Sequence, residues 1–322
     1  MPVLSTACKL CHEGAKMVLF VTGQCNRTCW YCPISSEKKG KDTPYANDRI
    51  ILTDDDILEE AWSMGALGAG ITGGEPFLVP ERVKHYCTLL KREYGEAFNI
   101  HVYTGMAPGK ELLLFLKDCV DEIRFHPPEE IWERFQESAF PESIKTAKML
   151  GFEVTIEVPS LPGLHYLIPA VDMVDYFNIN ELEWSETNAD QMRERNLSLE
   201  DNYHNAVEGA EIWAAEILKN PKVHWCSSGF KDSVQLRNRL IRTAEITARE
   251  FEEVTDDGTL MYGVWEYAGQ PHGIDEGMWE EKDGTIETAW WILAEHPEDF
   301  PGTKYIIERY PGQGIIVEVI PL

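Results

Sequence analysis

From residue 17 onward, short apolar runs alternate with amphipathic stretches, the pattern of strands and helices in a parallel α/β fold. Six apolar runs predict strands: MVLFVTG (17–23), AGITGG (69–74), NIHVYTG (99–105), DEIRFH (121–126), FEVTIEVP (152–159) and YFNINELEW (176–184). The stretches between them predict helices. TDDDILEEAWSMG opens on Thr53 as an N-cap, sets Asp54, Asp55 and Asp56 in the first turn, where the helix dipole favours negative charge, and stops at Gly65. ERVKHYCTLLKREYG stops in the same way at Gly95, and SIKTAKMLG at Gly151. Each strand–helix unit takes about 25 to 30 residues. Six units by residue 184 are too few for a closed eight-stranded barrel. The expected core is therefore a partial (β/α)6 TIM-like barrel, with its active face at the C-terminal ends of the strands.

The pattern then changes twice. Residues 186–250 read as a helical extension, built on DNYHNAVEGAEIWAAEILKN and VQLRNRLIRTAEITAREFEE. From 251 to 322, glycine turns (DDG, KDG, YPGQG) punctuate short runs such as LMYGVWEY and GIIVEVIPL, which predicts a small α+β domain for substrate or partner contact. With an N-terminal CxxC segment at 1–16 and the barrel at 17–185, the chain divides into four parts. A wheel of the second helix with Leu236, Leu240, Ala244 and Phe251 inward leaves Arg239, Arg242 and Arg249 outward. Arg237 then falls in the apolar arc, as an anchor for a buried carboxylate or an anionic ligand.

The 322 residues are 43% hydrophobic, enough for one large domain with a smaller appendage. No run approaches the roughly 20 apolar residues of a spanning helix. MPVLSTACKLCHEGAK lacks the apolar core of a signal peptide, so a cytoplasmic protein with no membrane partner is expected. The formal charge is −26, and residues 251–322 alone hold 16 acidic and 3 basic side chains, a local balance of −13. Such a field repels phosphate backbones, which disfavours nucleic acid as a partner, although the arginines of 237–249 form a local basic stripe.

Eight cysteines occur, five of them in the first 32 residues. A cytosolic chain of this size has little use for disulfides, so clustered thiols point to metal or redox chemistry. Cys25, Cys29 and Cys32 form CxxxCxxC directly after the first predicted strand. A zinc tetrahedron normally takes four protein ligands, whereas a cubane iron–sulfur cluster held by three leaves one iron open to a substrate or cofactor.

These residues resemble the radical S-adenosylmethionine (SAM) enzymes. Tyr31 stands at the aromatic position before the last cysteine, and Gly73, Gly74, Glu75 and Pro76 match the family's Gly-Gly-Glu segment after the second strand. The resemblance covers about residues 17–185 and is greatest to an archaeal group related to the activating enzyme of pyruvate formate-lyase. It implies a [4Fe–4S] cluster on Cys25, Cys29 and Cys32, and SAM bound through Tyr31 and residues 73–76. It also implies an electron donor of ferredoxin or flavodoxin type and anaerobic chemistry, in which SAM is cleaved reductively to a 5′-deoxyadenosyl radical that abstracts hydrogen. Later family contacts fall near Tyr103, Thr104, Arg124, His126 and Glu157. Thr104 and Glu157 are carried as cofactor-binding candidates and Arg124 as a catalytic one, each equally readable as a structural polar group. Asn180 and Glu181, at the end of the sixth strand, are further catalytic candidates.

A second CxxC pair, Cys8 and Cys11, reads as a tight turn able to present both thiols to one metal. Cys226 and His224 are its nearest complement, giving either an auxiliary [4Fe–4S] cluster, a Cys3His zinc site or ordinary buried thiols. The reaction expected is hydrogen abstraction from a small molecule or cofactor precursor. The alternatives are activation of a glycyl-radical enzyme, in which a protein is the substrate, modification of tRNA or rRNA, and a non-catalytic iron–sulfur protein.

Overall fold

The structure, a computed structural model, describes residues 3–267, 271–312 and 314–322; Gln313 of the YPGQG turn lies outside them. Two compact units result, one of residues 1–12, 16–61 and 66–234, the other of residues 13–15, 62–65 and 235–322.

In the first unit a nine-stranded sheet is built on seven parallel strands: β1 (Lys16–Phe20), β4 (Gly68–Thr72), β5 (Asn99–Thr104), β6 (Glu122–Phe125), β7 (Glu153–Pro159), β8 (Tyr176–Asn180) and β9 (Val223–Cys226). A short hairpin, β2 (Tyr45–Ala46) and β3 (Arg49–Ile50), extends the sheet past β1 in antiparallel fashion. Successive side chains of a strand point to opposite faces. Met17, Ile71, Ile100, Val102, Ile123, Ile156, Phe177 and Ile179 accordingly form one fully buried apolar layer. The crossover helices, among them α2 (Asp54–Ser63), α3 (Pro80–Tyr94), α4 (Lys110–Leu116) and α5 (Phe140–Met149), bury Ile57, Val83, Leu90, Leu113 and Ile144. The alternate positions are polar: Asn99 and Tyr103 on β5, Glu122 and Arg124 on β6, Thr155 and Glu157 on β7, Asn178 and Asn180 on β8. Apart from Asn99, which accepts from Lys16, they are joined by hydrogen bonds on the inner face.

All six predicted strands are present, and the sheet carries a seventh. VHWC (223–226) lies in the stretch expected to be helical and pairs in parallel with β8. VHWC follows the helix-patterned EIWAAEILKN after only Pro221 and Lys222, and the two merge into one helical reading. Helices at Ala189–Glu194, Ala210–Ala214 and Arg237–Thr247 fill part of the remainder. The tight turn expected at CxxC is instead a helix, α1 (Thr6–His12), with Ser5 as its cap: the Ser5 hydroxyl accepts from the Cys8 N–H at 3.2 Å. Cys8 and Cys11, three apart, share one face of it.

The second unit is a six-stranded antiparallel sheet. Its order is β12 (Trp279–Lys282), β13 (Thr285–Thr288), β11 (Leu260–Trp265), β14 (Lys304–Arg309), β15 (Ile316–Pro321), with β10 (Glu253–Val254) also pairing β11. Trp265, Ile286, Leu293 and Phe300 make one apolar cluster, and Phe251, Tyr262, Ala289 and Ile307 another. Arg237 does not occupy the buried position the wheel gives it. It is 44% exposed and stands 3.7 Å from Asp257, because Leu236 beside it is itself 40% exposed. Among the described residues no helix is long and apolar enough to cross a membrane.

Candidate active site

The cysteine loop begins where β1 ends, and its start is stitched to the segment after β4. Val21 N–H donates to the Thr72 carbonyl at 2.9 Å, Gly74 N–H to Thr22 at 2.7 Å and Glu75 N–H to Gln24 at 2.8 Å, so the ladder between the two strands continues through GGEP. This close approach is why residue 74 is glycine: a Cβ there would lie 2.2 Å from the Gln24 carbonyl oxygen. Gly23 is held as tightly, because its Cβ would meet the Lys38 oxygen at 1.7 Å where the loop returns. Gly23 N–H donates to Lys41 at 2.7 Å and Gly40 N–H to Gly23 at 2.8 Å, which closes the loop on itself.

Glu75 is 1% exposed. Its Oε1 accepts from Phe77 N–H at 3.0 Å and from the Thr104 hydroxyl at 2.9 Å, and its Oε2 from Gly105 N–H at 2.8 Å. Burial pushes its carboxyl up, against those bonds. Glu75 and Thr104 thus tie the end of β4 to the end of β5, and Pro76 opens the short turn Pro76–Leu78. Arg27, on the cysteine loop, has a buried Nε without a hydrogen-bond partner. A Cβ on Gly105 would lie 3.5 Å from both this nitrogen and Glu75 Oε2.

Tyr31 is 6% exposed, and its hydroxyl lies 3.1 Å from His126 Nε2. His126 Nδ1 donates to the Glu157 carbonyl at 2.9 Å, and burial lowers the ring's pKa. A neutral ring with its proton on Nδ1 presents Nε2 as the acceptor for Tyr31. Behind the loop, Asn188 Nδ2 donates to the Tyr31 carbonyl at 3.2 Å and to the Glu183 carbonyl at 3.0 Å, and the Thr187 hydroxyl donates to the Ile34 carbonyl at 2.8 Å. Sequence reasoning missed Arg27, Thr187 and Asn188; only the NRTC and ETN stretches beside the motif and the sixth strand hinted at them. Cys25 is exposed, Cys29 and Cys32 are half-buried, and none forms a disulfide. Burial pushes the Cys25 and Cys29 thiols up.

Three thiols of one loop are the donor chemistry of an iron–sulfur cluster with an open iron. The unmatched Arg27 nitrogen beside Gly105 and Glu75 suits a carboxylate such as that of SAM. The residues present therefore fit both groups. Among the described residues no three Cys, His, Asp or Glu side chains are gathered closely enough to hold a metal as they stand.

Deeper on the inner face, Arg124 and Glu157 lie in one buried network. Arg124 Nη1 donates to Glu157 Oε2 at 2.6 Å, Nε to Glu122 Oε1 at 2.8 Å, and Nη2 to the Ser5 hydroxyl at 3.2 Å and to Cys8 Sγ at 3.3 Å. Glu157 also accepts from Tyr103, Asn178 and Asn180, each at 2.9 Å. Burial pushes the Glu157 carboxyl up, but Arg124 and the three hydrogen bonds outweigh it and hold the group at about 2. Glu181 does not share this face with Asn180. It follows the strand end and its Oε2 accepts from Ser228 N–H at 2.8 Å. The structure thus brings Asn180, Glu157 and Arg124 together and sets Glu181 apart.

Cys226 and His224 lie on the β9 edge of the same face, where the register sets His224 opposite Asn178 and Cys226 opposite Asn180. Asn178 Nδ2 in turn donates to Cys8 Sγ at 3.3 Å. Burial pushes the Cys11 thiol up to about 11 and that of Cys226 to about 12.

A parallel sheet whose first strand ends in three cysteines, laced to a Gly-Gly-Glu-Pro segment after the next parallel strand, is the architecture of a radical SAM enzyme. Residues 19–166 match the model of the Radical SAM superfamily, and the chain belongs to that superfamily. It is 37% identical to a Methanocaldococcus jannaschii protein provisionally named a glycyl-radical enzyme activating enzyme, over 99% of this chain and 93% of that one. Residues 258–322 match a second family model, described as a domain of unknown function, DUF8061. Among solved structures, SuiB of Streptococcus suis bound to S-adenosylmethionine aligns at 14% identity and a TM-score of 0.44, over 69% of this chain and 53% of that one. A second SuiB structure aligns at 12% identity and a TM-score of 0.43, over 77% and 56%. The chain thus spans just over half the length of either SuiB structure. Membership of the superfamily implies an enzyme that uses a [4Fe–4S] cluster and SAM.

Proposed function

We propose that Cys25, Cys29 and Cys32 hold the cluster, and that the enzyme abstracts a hydrogen atom from a substrate admitted at the C-terminal ends of the parallel strands. The observation that carries this reading is the hydrogen-bonded seam between the cysteine loop and GGEP. It joins the start of the cysteine loop to the segment that resembles the family's methionine-binding motif. When bound, the cluster and SAM together supply one-electron cleavage to a 5′-deoxyadenosyl radical, with the electron from a ferredoxin- or flavodoxin-type donor.

The chain's own residues have defined tasks. The orphaned Arg27 nitrogen takes the carboxylate of SAM in a charge-assisted bond. Glu75, with both oxygens already engaged, holds the Gly105 backbone and Thr104 in place. Tyr31, oriented by the neutral His126, forms a wall beside Cys32. Asn180, half-buried at the C-terminal end of β8 and bonded to Glu157, offers an inner-face polar group to a substrate.

Two substrate classes remain in play, each on its own observation. A polar inner face capped by Asn180 and Tyr103 suits a small molecule or cofactor precursor. The name of the Methanocaldococcus jannaschii relative, similar over nearly its whole length, favours a glycine in a protein partner. The test is anaerobic reconstitution with iron and sulfide, dithionite reduction and assay of 5′-deoxyadenosine. Formation that is lost in Cys25→Ala, Cys29→Ala and Cys32→Ala variants is the expected result; no formation by wild-type protein with an assembled cluster would overturn the proposal. Freezing the same reaction with a glycyl-radical protein separates the substrate classes, since only an activase yields the doublet of a glycyl radical by electron paramagnetic resonance.

A further inference from the structure

The second group of thiols has no task in SAM cleavage, yet the fold has gathered it from opposite ends of the first unit. Helix α1 turns Cys8 and Cys11 from one face toward the inside of the sheet, and β9 presents His224 and Cys226 from its edge. Asn178, one strand over from His224, reaches Cys8 Sγ at 3.3 Å, and Arg124 Nη2 reaches the same sulfur at 3.3 Å. Cys11 shares the α1 face with Cys8, and Cys226 stands two residues from His224 on the same face of β9.

Two N–H donors on one buried sulfur are unusual company for a neutral thiol, which is a weak acceptor. They are the ordinary surroundings of a metal-bound thiolate, whose charge is spread into hydrogen bonds from its neighbours. The donor spacing fits as well. Two thiols one helical turn apart supply one edge of a tetrahedron, and a Cys and a His two apart on a strand face the same way to supply the other. None of the cysteines is in a disulfide. As they stand the four side chains do not close on one point, so binding would have to draw the sulfurs together by rotation of the cysteine side chains.

We propose that Cys8, Cys11 and Cys226, with His224 as the fourth ligand, form a second metal centre on the inner face of the barrel, taking a thiophilic metal: one zinc ion or an iron–sulfur cluster. The centre is independent of the SAM-cleaving site. Its ligands come from other elements, and Arg124 and Asn178 are its positioning residues.

The full chain with Cys25→Ala, Cys29→Ala and Cys32→Ala, expressed with iron and zinc and purified anaerobically, isolates the second centre. About one zinc, or about four irons with as many sulfides, should remain per chain. The choice between those two counts identifies the metal. Adding Cys8→Ser and Cys226→Ser to that background should remove the metal while the far-ultraviolet circular dichroism is kept. Where those serines unfold the protein, Cys11→Ser is compared instead after metal removal and titration with Co2+, and loss of the thiolate-to-cobalt absorption is the expected result. A triple-alanine protein with no stoichiometric zinc or iron, or metal that survives the serine substitutions, overturns the proposal. Activity of the wild type bears on neither outcome, so a failure here leaves the SAM-cleaving site untouched.

Discussion

Gly74 shows how little room the site allows at the scale of one residue. The Gly74→Ala methyl would stand 2.2 Å from a backbone oxygen of the cysteine loop, and backbone cannot swing aside as a side chain can. Iron retained by the variant and its yield of 5′-deoxyadenosine should both fall, the latter by about tenfold or more, with helix content unchanged; a variant as active as wild type contradicts the seam. Glu157 supplies a pH test. Its folded pKa of about 2 lies below the ordinary 4.5, so its stabilisation is complete above pH 4.5 and is lost as pH falls toward 2. Glu157→Gln should destabilise the protein near neutrality, since Arg124 is left with Glu122 as its one charged partner. The gap to wild type in denaturant titrations should narrow from pH 6 to pH 3, and a constant gap refutes the role assigned to the charge. CxxxCxxC and GGEP were legible because each motif is local. The buried network was not, since Arg124 meets Ser5, Cys8 and Glu157 only after folding, and a strand-end arginine reads equally well as a cofactor contact.

At the scale of elements, the ETN stretch after β8 braces the cysteine loop from behind. Asn188 is 1% exposed and holds the Tyr31 and Glu183 carbonyls while accepting from Ser185 N–H at 2.8 Å. Asn188→Ala leaves buried carbonyls unpaired at a cost of about 1–3 kcal/mol each. Iron should be lost to a chelator faster than from wild type, at a denaturant concentration where both proteins stay folded; equal rates of iron loss would show that the brace is idle. Six strands were legible because each stands before an amphipathic stretch at the spacing of a βα unit, so even the four-residue β6, with Glu122 and Arg124 in it, is set off by its neighbours. β9 was not, since VHWC comes only two residues after the helix-patterned EIWAAEILKN with no such spacing, and α1 was hidden by a CxxC that suits a turn as well as a helix. The missing strand mattered, since it puts Cys226 on the inner face within reach of α1.

At the scale of the molecule, the chain joins a parallel sheet with a polar inner face to a separate antiparallel sheet in an acidic C-terminal unit. The apolar layer of the first unit fixes the strand ends, and those ends fix the cysteine loop. The division of labour explains why the chemistry was readable from the first unit while the substrate was not: nothing in the second unit carries a motif with a mechanism of its own. The central claim is that three thiols leave one iron open for SAM. The most direct measurement is the electron paramagnetic resonance spectrum of the reduced protein with and without SAM, taken on a chain carrying Cys8→Ser and Cys226→Ser so that only the Cys25, Cys29 and Cys32 cluster contributes. The account predicts a reduced-cluster signal that changes shape on adding SAM and is absent once Cys29→Ala is introduced; a signal indifferent to SAM would contradict it.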